Sequence, residues 1–228
     1  MIDRRELLAL YGDLRVADVR DGMDWMMRHH QGSMTASIRP LFRTRSIGIA
    51  RTIRYVPYQG IVPNLTPDEY TEWSAWYYRE VSPYPWIEEI EEGDFCVLDQ
   101  SGVDAGIMGS NNSLDCLGRG MRGLVTNGGV RDTDELILEH IPIWSRFISQ
   151  AMVQGRVQYE SHNTPVVVDG VTVALGDVVV ADGDGVIVVP QNIAPDVAKY
   201  ASQEFHKDKP TRRRLYEKLG MPLDETVR

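Results

Sequence analysis

The chain has 228 residues, a formal net charge of −9, 43% hydrophobic residues and 25% charged residues, the balance of an ordinary globular protein. Acidity of this size argues against sequence-independent nucleic-acid binding, which relies on Lys and Arg to neutralise phosphates. No run approaches the roughly 18 consecutive apolar residues of a membrane span. The first residues, Met-Ile-Asp-Arg-Arg-Glu-Leu-Leu, lack the apolar core and small-residue cleavage site of a secretory leader, so the expected location is cytoplasmic. Cys96 and Cys116 fit neither a zinc-site spacing nor a disulfide framework. Cys96, inside an apolar run, reads as a small core residue.

In chain order, residues 4–11 and 18–28 read as helices and residues 47–56 alternate as a strand. Thr66-Pro67-Asp68-Glu69 is a helix start, with a capping Thr, Pro at the first helical position and an acid that completes a capping box. That helix is expected to run to about Val81, where Ser82-Pro83-Tyr84-Pro85 stops it. The stretch carries Tyr70, Trp73, Trp76, Tyr77, Tyr78, Tyr84 and Trp86. Part of this set shares one helical face, serving either as core or subunit packing or as a lid over an apolar substrate.

Residues 95–99 read as a short buried strand, Gly109-Ser-Asn-Asn-Ser113 as the cap of a helix over 114–121, and residues 123–127 as the next strand. Strand, crossover helix and strand make a parallel pair. Gly128-Gly129 then read as a sharp turn, and Asp132-Thr-Asp-Glu as the acidic first turn of another helix. Residues 165–173, 177–181 and 185–190 are β-branched runs separated by Gly and Asp, read as strands with tight connections. Asp182-Gly-Asp-Gly185 reads as a hairpin turn, since it lacks the length and acid pattern of a calcium loop. Residues 192–219 return to helix, broken near Pro210, and the basic cluster from Lys207 to Lys218 reads as a solvated face. With no repeat and no linker, the expected organisation is a single α/β domain over residues 1–228; a separate C-terminal β module is the alternative.

Chemistry concentrates where two loops, 100–112 and 128–132, should leave the same ends of neighbouring parallel strands. Backbone N–H groups around Gly109, Ser110, Asn111 and Asn112, helped by a helix dipole, suit a carboxylate or phosphate. Arg131 offers a guanidinium fork for an anion, and Asp132 a hard carboxylate for a divalent cation. Ordinary helix caps and a surface ion pair are the alternative. His29 and His30 are adjacent and so point in different directions on a helix, while His140, His162 and His206 have no ligand-spaced partner. No nucleophile elbow or P-loop occurs.

Several short blocks at compatible spacing give the chain a family resemblance: Ile38-Arg-Pro-Leu-Phe42, Gly93-Asp-Phe-Cys-Val-Leu-Asp99, residues 123–132, Asn163-Thr-Pro-Val166, and Gly176-Asp-Val-Val-Val-Ala-Asp182 through Pro190. Through them it resembles the RraA-like proteins, which include class II pyruvate aldolases acting on 4-hydroxy-4-methyl-2-oxoglutarate and regulators of ribonuclease activity. The resemblance implies a swivelling β/β/α fold, homotrimers or hexamers with active sites at subunit interfaces, and Mg²⁺ or Mn²⁺ as cofactor. It implies that Arg131 binds substrate, that Asp132 holds the metal, and that the backbone around Ser110, Asn111 and Asn112 receives the pyruvyl carboxylate. The implied activity is a lyase that cleaves or decarboxylates a small 2-oxo acid through a metal-stabilised enolate. The alternative is a non-catalytic regulator that binds a protein partner such as a ribonuclease.

The chain departs from the enzymes' pattern of an acid, twenty residues and then Arg-Asp, because position 110 is Ser. The two leucines usual after that acid are Asn111 and Asn112, and the usual Asp before the glycines is Asn127. A carboxylate that orders water beside the Arg is therefore missing. Asp115 lies too far along the helix to replace it. Glu204 and Asp208 are the acids in range of the C-terminal region from which a neighbouring subunit would contribute one.

Overall fold

A computed structural model describes residues 3–224 and 226–227; Met1 and Ile2, at the head of the segment read for a leader, lie outside the described residues. Two N-terminal helices, α1 (Arg4–Leu10) and α2 (Val16–Trp25), precede a short strand β1 (Arg39–Pro40) and the long strand β2 (Ser46–Pro57). Helix α3 (Pro67–Trp76) starts at the Thr66 cap, whose hydroxyl accepts from the Glu69 N–H while Glu69 reaches back to Thr66. It continues as a π-helical turn over Tyr77–Val81, and Ser82 ends the run. Strand β3 (Asp94–Asp99), the three-residue β4 (Gly106–Met108), helix α4 (Ser110–Gly118), strand β5 (Gly123–Val130) and helix α5 (Thr133–Leu138) follow. The rest comprises β6 (Ile143–Ile148), β7 (Val157–His162), β8 (Val166–Val168), β9 (Val171–Val173), β10 (Val178–Asp182), β11 (Gly185–Val189) and helix α6 (Ala194–Leu219).

Nine strands form one sheet in the order β1-β6-β5-β3-β2-β10-β11, with β4 beside β5 and β7 beside β2. Its centre is parallel, from β2 through β3 and β5 to β6, as the strand–helix–strand spacing predicts. Residues 32–40 carry the chain from one edge to the other. Ser33 bridges Ile187 on β11, and β1 then pairs with β6. This nearly closes the sheet into a barrel. The β8–β9 hairpin sits against the inner face, where Val166, Val168, Val171 and Val173 pack with Phe95, Val97, Val125, Trp144 and Val188. On the outer face, Trp86, Ile87, Cys96, Leu124, Cys116 and Leu136 form a second core. A third core joins α1, α2 and α6 to β2, β10 and β11. The protein is thus a mixed α/β fold with a barrel-like sheet and helices at both ends of the chain. No helix among the described residues is long and apolar enough to cross a membrane.

Three sequence expectations need correction. The helix read over 114–121 begins at Ser110, with Gly109 as its N-cap, so Ser110, Asn111 and Asn112 form its first turn. Gly128-Gly129 do not turn: β5 runs straight through them to Val130. Their smallness serves packing instead, because a Cβ at Gly128 would fall 2.2 Å from Gln100 Oε1 and one at Gly129 2.8 Å from Ser149 Cβ. The chain turns at Asp132, which takes the left-handed conformation at φ 55° and ψ 39°, a region that short polar side chains enter more readily than most. Finally, α6 continues through Pro210. The proline is exposed there, and it forgoes the amide bond to the fourth preceding carbonyl.

Candidate functional site

β5 outruns β3, and β4 takes the vacated place beside its last residues, with Gly106 opposite Gly129 and Met108 opposite Val130. Both β4 and β5 then lead directly into helices, α4 and α5. The Arg131 N–H donates to the Met108 carbonyl at 2.9 Å, which fixes the two exits side by side. The stem of Arg131 lies over Gly106, where an added Cβ would fall 2.8 Å from the arginine's Cβ and Cγ. Glycine at 106 is what leaves room for the arginine.

Asp132 occupies the N-cap of α5 but makes no side-chain bond to that helix. Its carboxylate crosses to the neighbouring helix, where Oδ2 accepts from the Ser110 N–H at 3.3 Å. Oδ1 meets Arg131 Nε at 3.2 Å, with the two side chains 36% and 33% exposed. A Cβ at Gly109 would fall 2.2 Å from Asp132 Oδ2, so any larger residue at the α4 cap displaces that carboxylate. One carboxylate, one guanidinium and the N-terminus of α4 therefore meet in a half-exposed place, where an anion is favoured by free N–H groups and the helix dipole.

The structure brings together Gly109, Ser110, Arg131 and Asp132. Asn111 is exposed and Asn112 half-buried on the same first turn, while Ser110 is 7% exposed. Asn127 stands apart. Buried in β5, it accepts from the Gln100 N–H at 2.7 Å and donates to Asp99 Oδ1 at 2.8 Å, a structural cross-link between strands. Asp115 pairs with Arg119 at 2.9 Å on the exposed side of α4, and Glu204 pairs with Lys207 at 3.1 Å on α6. Asp208 lies on α6 too, close enough to Asp21 to help raise that carboxyl, behind burial and Asp18.

Sequence reasoning placed Tyr84 only among the aromatics. In the structure its hydroxyl donates to the Ile107 carbonyl at 2.9 Å, on the strand that delivers α4. Burial holds this phenol above its ordinary pKa and Tyr78 adds to that, while Arg131 and the Asn112 side chain pull it back. No local signal in the sequence ties Tyr84 to residues 107–131.

For a divalent cation, the available donor is the hard carboxylate of Asp132; no group of three or more His, Cys, Asp or Glu side chains among the described residues could hold a metal. A single carboxylate with open positions suits Mg²⁺-type binding, in which substrate oxygens and water complete the set. The cysteines are no alternative ligands. Both are buried, and burial pushes the Cys116 thiol up to about 12.

Comparison with known proteins agrees with this architecture. The chain is 26% identical over 163 residues to protein DlpA of Legionella pneumophila subsp. pneumophila, a match covering 71% of this chain and 24% of the relative; it thus spans about a quarter of DlpA. It is 26% identical over 207 residues, 88% of this chain and 82% of the relative, to a Halalkalibacterium halodurans protein named "Putative 4-hydroxy-4-methyl-2-oxoglutarate aldolase". Streptomyces coelicolor RraAS2, described as an unusual member of the RNase ES inhibitor RraA protein family, shares the fold at a TM-score of 0.74 and 22% identity, over 93% of this chain and 98% of that one. The family profile described as Aldolase/RraA matches residues 16–188. The chain belongs to the RraA-like family.

Proposed function

We propose that this protein is a divalent-metal-dependent lyase that releases pyruvate from a small 2-oxo acid, by decarboxylation or aldol cleavage. The observation that carries the reading is the convergence of Arg131, Asp132 and the α4 N-terminus at the ends of β4 and β5. The relative named as an aldolase at 26% identity supports it. The neighbouring subunit's contribution to this site, in a trimer or hexamer, belongs to the same proposal.

Arg131 binds and orients the substrate through charge-assisted hydrogen bonds. The N–H groups of Ser110, Asn111 and Asn112 receive its carboxylate, which displaces Asp132 Oδ2 from the helix N-terminus and exchanges one carboxylate for another. Asp132 would hold Mg²⁺ or Mn²⁺, which when bound supplies Lewis-acid polarisation of the 2-oxo group. As the carbon–carbon bond breaks, negative charge moves onto the 2-oxo oxygen, and fixed donors beside it favour that charge more than they favour the ground state.

Ser110 selects between the two cleavages. Aldol cleavage requires a base to take the 4-hydroxyl proton, and no carboxylate stands at position 110 to order water for that purpose. Decarboxylation of a 3-carboxy-2-oxo acid requires none, because CO₂ leaves and water then protonates carbon 3 of the pyruvate enolate. Pyruvate release is therefore expected to be faster from oxaloacetate than from 4-hydroxy-2-oxo acids.

The test is pyruvate release with Mg²⁺ or Mn²⁺ across those substrates. Arg131→Ala and Asp132→Ala are each expected to lower kcat/KM about 100-fold or more, and chelation to remove activity. The second reading, a non-catalytic regulator that binds a protein such as a ribonuclease, is favoured by the same Ser110. Folded protein that releases no pyruvate from any of these acids with either metal would overturn the lyase reading, and binding to a ribonuclease would then be the measurement that supports the regulator.

A further inference from the structure

Tyr84 lies outside the residues assigned so far, yet it is built into the site with care. It sits between Pro83 and Pro85, in the turn that brings the chain out of the α3 segment. That turn is fixed by buried polar bonds: the Tyr55 hydroxyl donates to the Pro83 carbonyl at 2.6 Å, and Trp86 Nε1 donates to the Tyr55 hydroxyl at 3.0 Å. The Tyr84 ring packs against both, 6.0 Å from Tyr55 and 6.3 Å from Trp86.

The hydroxyl reaches the Ile107 carbonyl. Gly106, the preceding residue, carries the Arg131 stem, and Met108, the next one, accepts from the Arg131 N–H. Met108 is followed by Gly109, the N-cap of α4, so Asn112 lies on the first turn of the helix that this strand delivers. A single hydroxyl thus touches the strand that seats the arginine and leads into the helix turn that presents the anion-binding amides.

We propose that Tyr84 is a positioning residue of the 2-oxo-acid site: its hydroxyl holds β4 so that the α4 amides and Arg131 face one substrate. This rests on the lyase reading. A group that acts by holding the binding elements supports substrate and transition state equally, so its loss raises KM and leaves kcat nearly unchanged.

The test is Tyr84→Phe, which keeps the ring and removes the oxygen. With oxaloacetate and Mg²⁺ or Mn²⁺, KM is expected to rise about fivefold, the size one net hydrogen bond supports, with kcat within about twofold. The inhibition constant for oxalate, a planar dianion resembling the enolate, should rise in parallel. Tyr77→Phe is the control: it removes a phenol in the same segment, buried and donating to the Val157 carbonyl at 2.7 Å, and should lower thermal stability without moving KM. An unchanged KM in Tyr84→Phe, or an equal rise in Tyr77→Phe, overturns the proposal. If the wild-type protein neither releases pyruvate nor binds oxalate by calorimetry, the lyase reading falls and this inference falls with it.

Discussion

Gly109 shows how little of a residue's role its own type reveals. Its backbone, at φ −126° and ψ −175°, is open to any residue, so conformational freedom is not the reason for glycine. The reason is the Asp132 carboxylate, 2.2 Å from where a Cβ would stand. Gly109→Ala must push that carboxylate off the α4 N-terminus. Activity is expected to fall on the order of 10- to 100-fold, as misplaced catalytic groups commonly cause, while the circular dichroism spectrum and melting temperature change little. The Arg131-Asp132 pair was legible at the strand-to-helix junction because an apolar run ended and an acidic helix start followed. The glycines and Asn127 were not, because Gln100, Ser149 and Asp99, which decide their roles, come from β3, β6 or the residue just past their ends. The missing acid at position 110 was legible only through the family resemblance. The structure adds that Ser110 is buried beside Asp132.

At the scale of elements, strong local chemistry carried through and weak local chemistry did not. The capping box at Thr66 and the glycine–aspartate turn between β10 and β11 came out as read, since each is decided within four residues, whereas the run read over 165–173 folds back at Asp169-Gly170 into β8 and β9. β1 and β4 have two and three residues, too few for any periodicity, and exist because β6 and β5 offer free edges. The aromatic face of α3 divides: Tyr77 is fully buried, whereas Trp76 and Tyr78 are each 39% exposed, so core packing accounts for only part of it. The β8–β9 hairpin is tied down at its tip, where Asp169 accepts from the Thr35 N–H at 2.7 Å and the Ser37 hydroxyl at 2.9 Å, and also from the Thr35 hydroxyl. Burial alone would raise the Asp169 carboxyl, but these bonds, with Arg146, outweigh it and hold it below the ordinary value. A folded-state pKa depressed in this way gives stability that is complete above the unfolded value of about 3.9 and is lost as pH falls through the folded one. Asp169→Asn is therefore expected to lower the melting temperature at neutral pH and to narrow its gap from wild type as pH drops below about 4, as read by thermal denaturation at stepped pH.

Across the whole molecule, the division of labour is spatial. α2 and α6 pack on each other behind β10 and β11, while the site lies at the ends of β4 and β5. Gly22 makes the helix pair possible, since a Cβ there would fall 2.6 Å from the Val197 carbonyl and 3.0 Å from Ala201 Cβ. Gly22→Ala is expected to cost about 1–3 kcal/mol by overpacking, measured as a lower urea midpoint, with kcat/KM per folded molecule unchanged. The parallel centre of the sheet was legible from strand spacing. Its near closure was not, because it depends on Ser33, Ile187 and the two residues of β1 meeting strands far along the chain.

The glycines beneath the site also set the routes by which mutation can reshape it. Any substitution at Gly106 or Gly109 meets the side chain of Arg131 or Asp132, so drift there displaces the site's own groups. Freedom remains at exposed Asn111 and half-buried Asn112, and in the chain leading to Tyr84. A lineage that retained the Arg-Asp pair while changing its substrate would record the change at those positions and leave the glycine floor untouched.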